Sequence, residues 1–266
     1  VRSATRREFL KTAGAGAGFT GLVVSAQPAL GLIFPPAVWP SPLEAAALYP
    51  DGVRFPAAGI GIGRTLPEEF DRLSGRIAPV ANRLAREGAN AIALLSPPLS
   101  FYNGAAFNQR LSREISGAAA GLPAITASTA MVEGLGTLGA RRIAVATVYT
   151  DEINLRLQGF LNESGFEVVI VKGLGIERFE ERAPVTQAVT PAEIVEFIAG
   201  VRESRPEADA LLLAFGYLPT LDLIAPLEKR CQIPVVSAVP HALRAGVRLL
   251  GMSGRSAGFG TLFDKP

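Results

Sequence analysis

The chain has 266 residues, 48% hydrophobic and 19% charged, with 28 glycines and 20 prolines. That composition can bury one large core or two modest ones. A single cysteine excludes a disulfide framework, and with a single histidine it argues against a protein-built metal site, so none is expected. The pI of 8.9 hints at a polyanion partner, but the excess is local. Residues 1–26 carry Arg2, Arg6, Arg7 and Lys11 against Glu8, which leaves the remainder close to −1. No nucleic-acid partner is implied.

In chain order, Thr5–Lys11 (TRREFLK) comes first and matches the R-R-x-F-L-K pattern of twin-arginine export signals. A weakly apolar stretch, Thr12 to Ser25, follows, and Val24-Ser25-Ala26 places small residues where a signal peptidase prefers them. Residues 1–26 are therefore expected to address the chain to the twin-arginine translocase and to the periplasm or beyond. A basic amphipathic tail on a cytoplasmic protein is the alternative. The apolar run is too short and too glycine-rich for a stable membrane span. Gly14, Gly16 and Gly18 have no strand before them and do not make a phosphate loop.

Beyond the signal, short runs of Val, Ile and Leu end in Gly, Pro or Ser. They are Leu30–Phe34, Ala91–Leu95, Ala124–Thr126, Ile143–Thr147, Val168–Val171, Leu211–Ala214 and Val235–Ser237. Helical periodicity fills Glu69–Glu87, Asn154–Ser164 and Pro191–Ser204, so buried strands alternate with helices, as parallel α/β sheets require. Gly59, Gly61 and Gly63 alternate as in a strand or a close backbone approach, without the spacing of a dinucleotide fingerprint.

The pattern repeats. Ala89–Ser96 aligns with Ala208–Phe215, Leu122–Ala127 with Ile233–Ala238, and Leu30–Phe34 with Ile143–Thr147. The expected fold is α/β: two similar lobes, each a parallel sheet flanked by helices, related by a pseudo-twofold axis across a cleft. Residues 29–130 with 240–266 would form the first lobe and 131–239 the second. Ligands of such sheets sit beyond the carboxyl ends of the strands. The residues to watch are thus Ser96-Pro97-Pro98 and Phe215-Gly216-Tyr217, with Tyr149, Ser128 and His241 at further strand ends. His241 has the pKa of a general acid or base, or is a surface or helix-start histidine. Ser128 and Thr129 offer hydroxyls to a ligand, or Thr129 caps the next helix.

Five segments, Leu99–Asn108 (LSFYNGAAFN), Arg141–Asn154 (RRIAVATVYTDEIN), Leu218–Ile224 (LPTLDLI), Ile233–Ser237 and Gly258–Asp264 (GFGTLFD), resemble segments of the arylmalonate decarboxylase family in the same order. That family lies in the aspartate/glutamate racemase superfamily, with the maleate isomerases as relatives. The resemblance implies cofactor-independent chemistry at the α-carbon of a small carboxylate, so no cofactor is expected. It also places the family's catalytic cysteine at Phe215, the facing racemase cysteine at Ser96, and the threonine-serine donor pair at Pro97 and Pro98. Tyr149 matches the family's active-site tyrosine, and the N–H groups of Gly216 and Tyr217 remain. A phenyl ring has no proton to give and proline no N–H. Cys231, at the entrance of its strand, lies on the side away from the cleft. Two outcomes stay open. One is a cysteine-independent decarboxylase or isomerase using Tyr149, Ser96 or His241. The other is a carboxylate-binding protein derived from such an enzyme.

Overall fold

The computed structural model describes residues 27–38, 43–62, 73–176, 191–216 and 218–266. The expected signal, Gly63 and Tyr217 lie outside them. Central strands with both faces covered, flanked for the most part by less buried edge strands, assemble into two parallel sheets, in the manner expected of Val/Ile/Leu runs without polar alternation. Leu30–Phe34 (β1), Ala57–Gly59 (β2), Ala91–Leu94 (β3) and Ala124–Thr126 (β4) pair in the order β2-β1-β3-β4. Arg142–Thr147 (β5), Glu167–Gly173 (β6), Ala210–Ala214 (β7) and Val235–Ser237 (β8) pair as β6-β5-β7-β8. All of these pairings are parallel.

The described helices are Leu43–Leu48 (α1), Leu73–Arg86 (α2), Pro97–Phe101 (α3), Gly104–Ala118 (α4), Ala127–Thr137 (α5), Asp151–Glu163 (α6), Pro191–Glu203 (α7), Leu221–Cys231 (α8) and Ala238–Leu249 (α9). Thr126, and not Thr129, caps α5: its hydroxyl accepts the Thr129 N–H at 3.1 Å. The cap falls there because the last strand residue keeps the extended backbone that an N-cap needs.

The sequence repeat is the structural repeat, since β1, β3 and β4 hold in one sheet the places of β5, β7 and β8 in the other. One device occurs in both copies. Asn90, just before β3, accepts the Ala29 N–H at 2.9 Å, and Asp209, just before β7, accepts the Arg141 and Arg142 N–H groups at 3.0 Å. Each fixes the start of the neighbouring central strand.

The lobes also hold each other. Helix α9 crosses to pack on β3 and β4, and α5 lies against α9 and β8. The buried Glu44 carboxylate on α1 accepts Thr220 N–H (2.8 Å) and Leu221 N–H (3.0 Å) at the start of α8. Reciprocally, Glu163 on α6 accepts the Ala105 N–H (2.9 Å) at the start of α4. Each carboxylate meets the partial positive charge of a helix N-terminus in the opposite lobe. Burial raises the Glu44 pKa, and the two backbone hydrogen bonds oppose that rise. No described helix is long and apolar enough to cross a membrane.

Candidate functional site

Ser96 stands beyond β3 as the N-cap of α3, with extended backbone and no capping bond from its side chain. Pro97 and Pro98 occupy the first helical positions. A helix start normally exposes free N–H groups that attract anions, and here two of them are missing. The Ser96 hydroxyl is fully buried and has no hydrogen-bond partner. Below it, Ser128 Oγ donates to the Pro97 carbonyl at 3.1 Å and lies 2.6 Å from Ser100 Oγ, which is 3.0 Å from the same carbonyl. The Ser128 hydroxyl thus shapes the proline turn from beneath.

Tyr149 lies two residues beyond β5, on a loop with its own clamp. Thr147 Oγ1 accepts the Tyr149 N–H (3.1 Å) and donates to Asn154 Oδ1 (2.7 Å), while Asn154 Nδ2 donates to the Tyr149 carbonyl (3.3 Å). The loop folds onto Gly173 at the end of β6, where an added Cβ would stand 2.2 Å from the Tyr149 carbonyl oxygen. Gly59, at the end of β2, makes the matching approach in the first lobe, 1.8 Å from the Pro36 carbonyl oxygen. Only glycine admits either contact. The buried Tyr149 ring packs against Phe101 of α3, with centroids 6.0 Å apart, and Phe101 also reaches Phe160 of α6 at 6.3 Å. The helix led by Ser96 and the Tyr149 loop are thereby held together across the two lobes.

Immediately beyond β7, Phe215 and Gly216 are buried. The next helix start is already occupied, because Glu44 takes the Thr220 and Leu221 N–H groups. Besides the Glu44 carboxylate, the buried polar groups around these strand ends include the hydroxyls and amides of Ser96, Ser100, Ser128, Thr147, Asn154 and Thr220. Among the described residues, no three His, Cys, Asp or Glu side chains gather as a metal would need.

The sequence profile of the arylmalonate decarboxylase family matches residues 30–263. The chain belongs to the arylmalonate decarboxylase family. Arylmalonate decarboxylase from Bordetella bronchiseptica is 40% identical over 242 residues, covering 91% of this chain and 98% of that protein. A solved arylmalonate decarboxylase variant in its liganded form, with a glycine changed to cysteine and a cysteine to serine, superposes with a TM-score of 0.83 at 40% identity. The superposition covers 89% of this chain and 99% of that one. The maleate isomerase Iso of Pseudomonas putida S16, carrying a cysteine-to-alanine change and maleate, shares the fold at 22% identity and a TM-score of 0.79, over 90% and 98% of the two chains.

Against this arylmalonate decarboxylase frame, Ser96, Pro97, Pro98, Ser128 and Tyr149 fall into one neighbourhood, held by Phe101 and by the Pro97 carbonyl. Phe215 and Gly216 stand at the equivalent strand end of the other lobe. His241 keeps different company. Its Nδ1 lies 2.9 Å from the Ser237 nitrogen and 2.7 Å from the Ser237 oxygen, and its ring packs on Phe263 at 4.8 Å. Among the described residues, no hydrogen bond or ring contact joins it to Ser96, Tyr149 or Phe215. Burial pushes its pKa down to about 4. Cys231 closes α8, half-buried, with its thiol pKa raised by burial.

Sequence reasoning missed Asn154, Thr147, Phe101 and Glu44. Asn154, Thr147 and Phe101 sit inside the quoted family segments, so position marked them, but nothing in their spacing revealed their partners. Glu44 carries no local signal at all.

Proposed function

We propose that this chain is an exported member of the arylmalonate decarboxylase family whose interlobe cleft holds a small carboxylate through neutral donors, without thiol chemistry. The Ser96 hydroxyl carries this reading: fully buried, without a partner, at the carboxyl end of β3 where ligands of parallel sheets lie. A buried polar group left unpaired costs about 1–3 kcal/mol, a cost that a bound oxygen acceptor removes. Tyr149 would supply a second hydroxyl and Gly216 a backbone N–H, with Phe215 and the two prolines as apolar walls. The liganded decarboxylase and the maleate-bound isomerase are the relatives from which carboxylate chemistry is carried over. Export rests on the twin-arginine pattern at residues 5–11. Changing Arg6 and Arg7 to lysine together should hold the chain in the cytoplasm on cell fractionation; unchanged export would remove that part of the reading.

A second reading is favoured by the clamp on the Tyr149 backbone and by the packing of its ring on Phe101, since a positioned tyrosine suits proton transfer. On that reading the protein is a thiol-independent lyase or isomerase, with Tyr149 or Ser96 moving the proton.

Calorimetric titration with malonate, aryl malonates and maleate tests the binding site. Ser96→Ala should raise the stability of the unliganded protein by about 1 kcal/mol, since an unpaired buried hydroxyl is removed. The same change should weaken carboxylate binding roughly tenfold, the value of about one hydrogen bond. Weaker stability with unchanged affinity would show the hydroxyl to be structural and the reading wrong.

A further inference from the structure

Away from the strand ends, α5 and α9 frame a cavity of about 280 Å³. Glu133 and Thr137 line it from α5, His241, Arg244 and Arg248 from α9, and Leu262 from the C-terminal segment. None of Ser96, Tyr149, Phe215 or Gly216 borders it.

Two of these side chains are buried with polar atoms left over. His241 is 2% exposed and Arg244 6%. The imidazole turns Nδ1 to Ser237, and Nε2 has no partner. The Arg244 guanidinium gives Nη2 to the main-chain oxygens of Lys265 and Pro266 at 3.0 and 3.1 Å, and its Nε has no partner. Arg248 reaches the same Pro266 oxygen through Nη1. Among the described residues, no Asp or Glu carboxylate stands within ion-pair distance of Arg244 or Arg248. The Arg244 guanidinium is thus met through Nη2 alone, and its buried Nε–H is left without an acceptor. Burial raises the Glu133 pKa, while the Arg248 and Arg244 charges pull it back.

We propose that the cavity between α5 and α9 is a second ligand site, which takes a small oxyanion of the carboxylate or phosphate type. Its oxygens accept from Arg248, from Arg244 Nε–H and from His241 Nε2–H. The anion selects the imidazole tautomer in which Nδ1 accepts the Ser237 N–H. The volume limits the ligand to a few heavy atoms, and Glu133 sets an acidic wall on one side.

His241 is the only histidine in the sequence, so its ring nitrogens report on this cavity alone. Full-length protein labelled with ¹⁵N is titrated with inorganic phosphate and, separately, with malonate, while the imidazole ¹H–¹⁵N resonances are followed. The expected result is a saturable shift of Nε2 with at least one of the two, and which one acts tells the source of the anion. Arg248→Gln should weaken that binding about tenfold, the loss of one charge-assisted hydrogen bond. Glu133→Gln should tighten it roughly threefold by removing a like charge from a partly solvated wall. Both variants sit on exposed helix positions, and the amide spectrum verifies their folding. An unmoved imidazole, a linear drift without saturation, or the same affinity in both variants would overturn the proposal. Cleft binding, read calorimetrically in Ser96→Ala, is a separate measurement, so the two sites stand or fall apart.

Discussion

Burial lowers the His241 pKa, and the nearby Arg244 charge adds to the same effect. Glu133 and Thr137 face it across the cavity from α5, with Arg248 on its own helix and Phe263 against its ring. The folded pKa is about 4, against an ordinary value near 6.5, so between those values the unfolded chain binds more protons than the folded one. The histidine's contribution to stability is therefore full above pH 6.5 and is lost as pH falls towards 4. The loss reaches up to about 3 kcal/mol. Urea unfolding across this range should show that slope, and His241→Asn should flatten it; an equal slope in the variant would mean the ring titrates normally. At Phe215 and Pro97-Pro98 the chemistry is subtractive: the first has no transferable proton, and the others have no N–H to set against a developing oxyanion.

Helices α4 and α8 each begin against a carboxylate from the opposite lobe, so docking of the lobes supplies each first turn with an acceptor. Glu44 is the deeper of the two and satisfies two N–H groups at once. Glu44→Ala should cost about 1–3 kcal/mol in chemical denaturation, since two buried donors lose their acceptor. Glu163→Ala, at an exposed position, should cost less than about 1 kcal/mol. Glu44 also has a pH signature opposite to that of His241. Burial lifts its pKa above 4.5, so the folded state holds more protons just above that value, and this contribution falls as pH rises through it. Equal losses in the two variants would contradict the reciprocal-cap account. The loop after β5 follows a similar logic within one lobe, where Thr147 and Asn154 position Tyr149 by both its N–H and its carbonyl.

Across the whole molecule, the repeat carried the architecture into the sequence. Strands buried on both faces leave continuous apolar runs, and two copies of one β-α unit place Ser96 and Phe215 at matching strand ends from the sequence alone. The placement of Ser96, Pro97, Ser128 and Tyr149 in one neighbourhood follows from that topology. The contacts that hold them do not. Glu44 lies 176 residues from Thr220, and Phe101 meets Tyr149 across the boundary between the lobes. No local periodicity encodes either pairing. His241 shows the same limit: its strand-end position was legible, but not the turn of helix that directs its ring to Ser237 and Phe263.

The most direct measurement on the whole protein is proton NMR of malonate, aryl malonates and maleate in deuterated water with the full chain present. With a cleft that binds through neutral donors and has no thiol at Phe215, line broadening of bound carboxylate is expected. The ligand should remain intact, with no deuterium at its α-carbon and no carbon dioxide released. Deuterium incorporation, decarboxylation or maleate isomerisation above the protein-free rate would contradict that account and leave the thiol-independent enzyme centred on Tyr149.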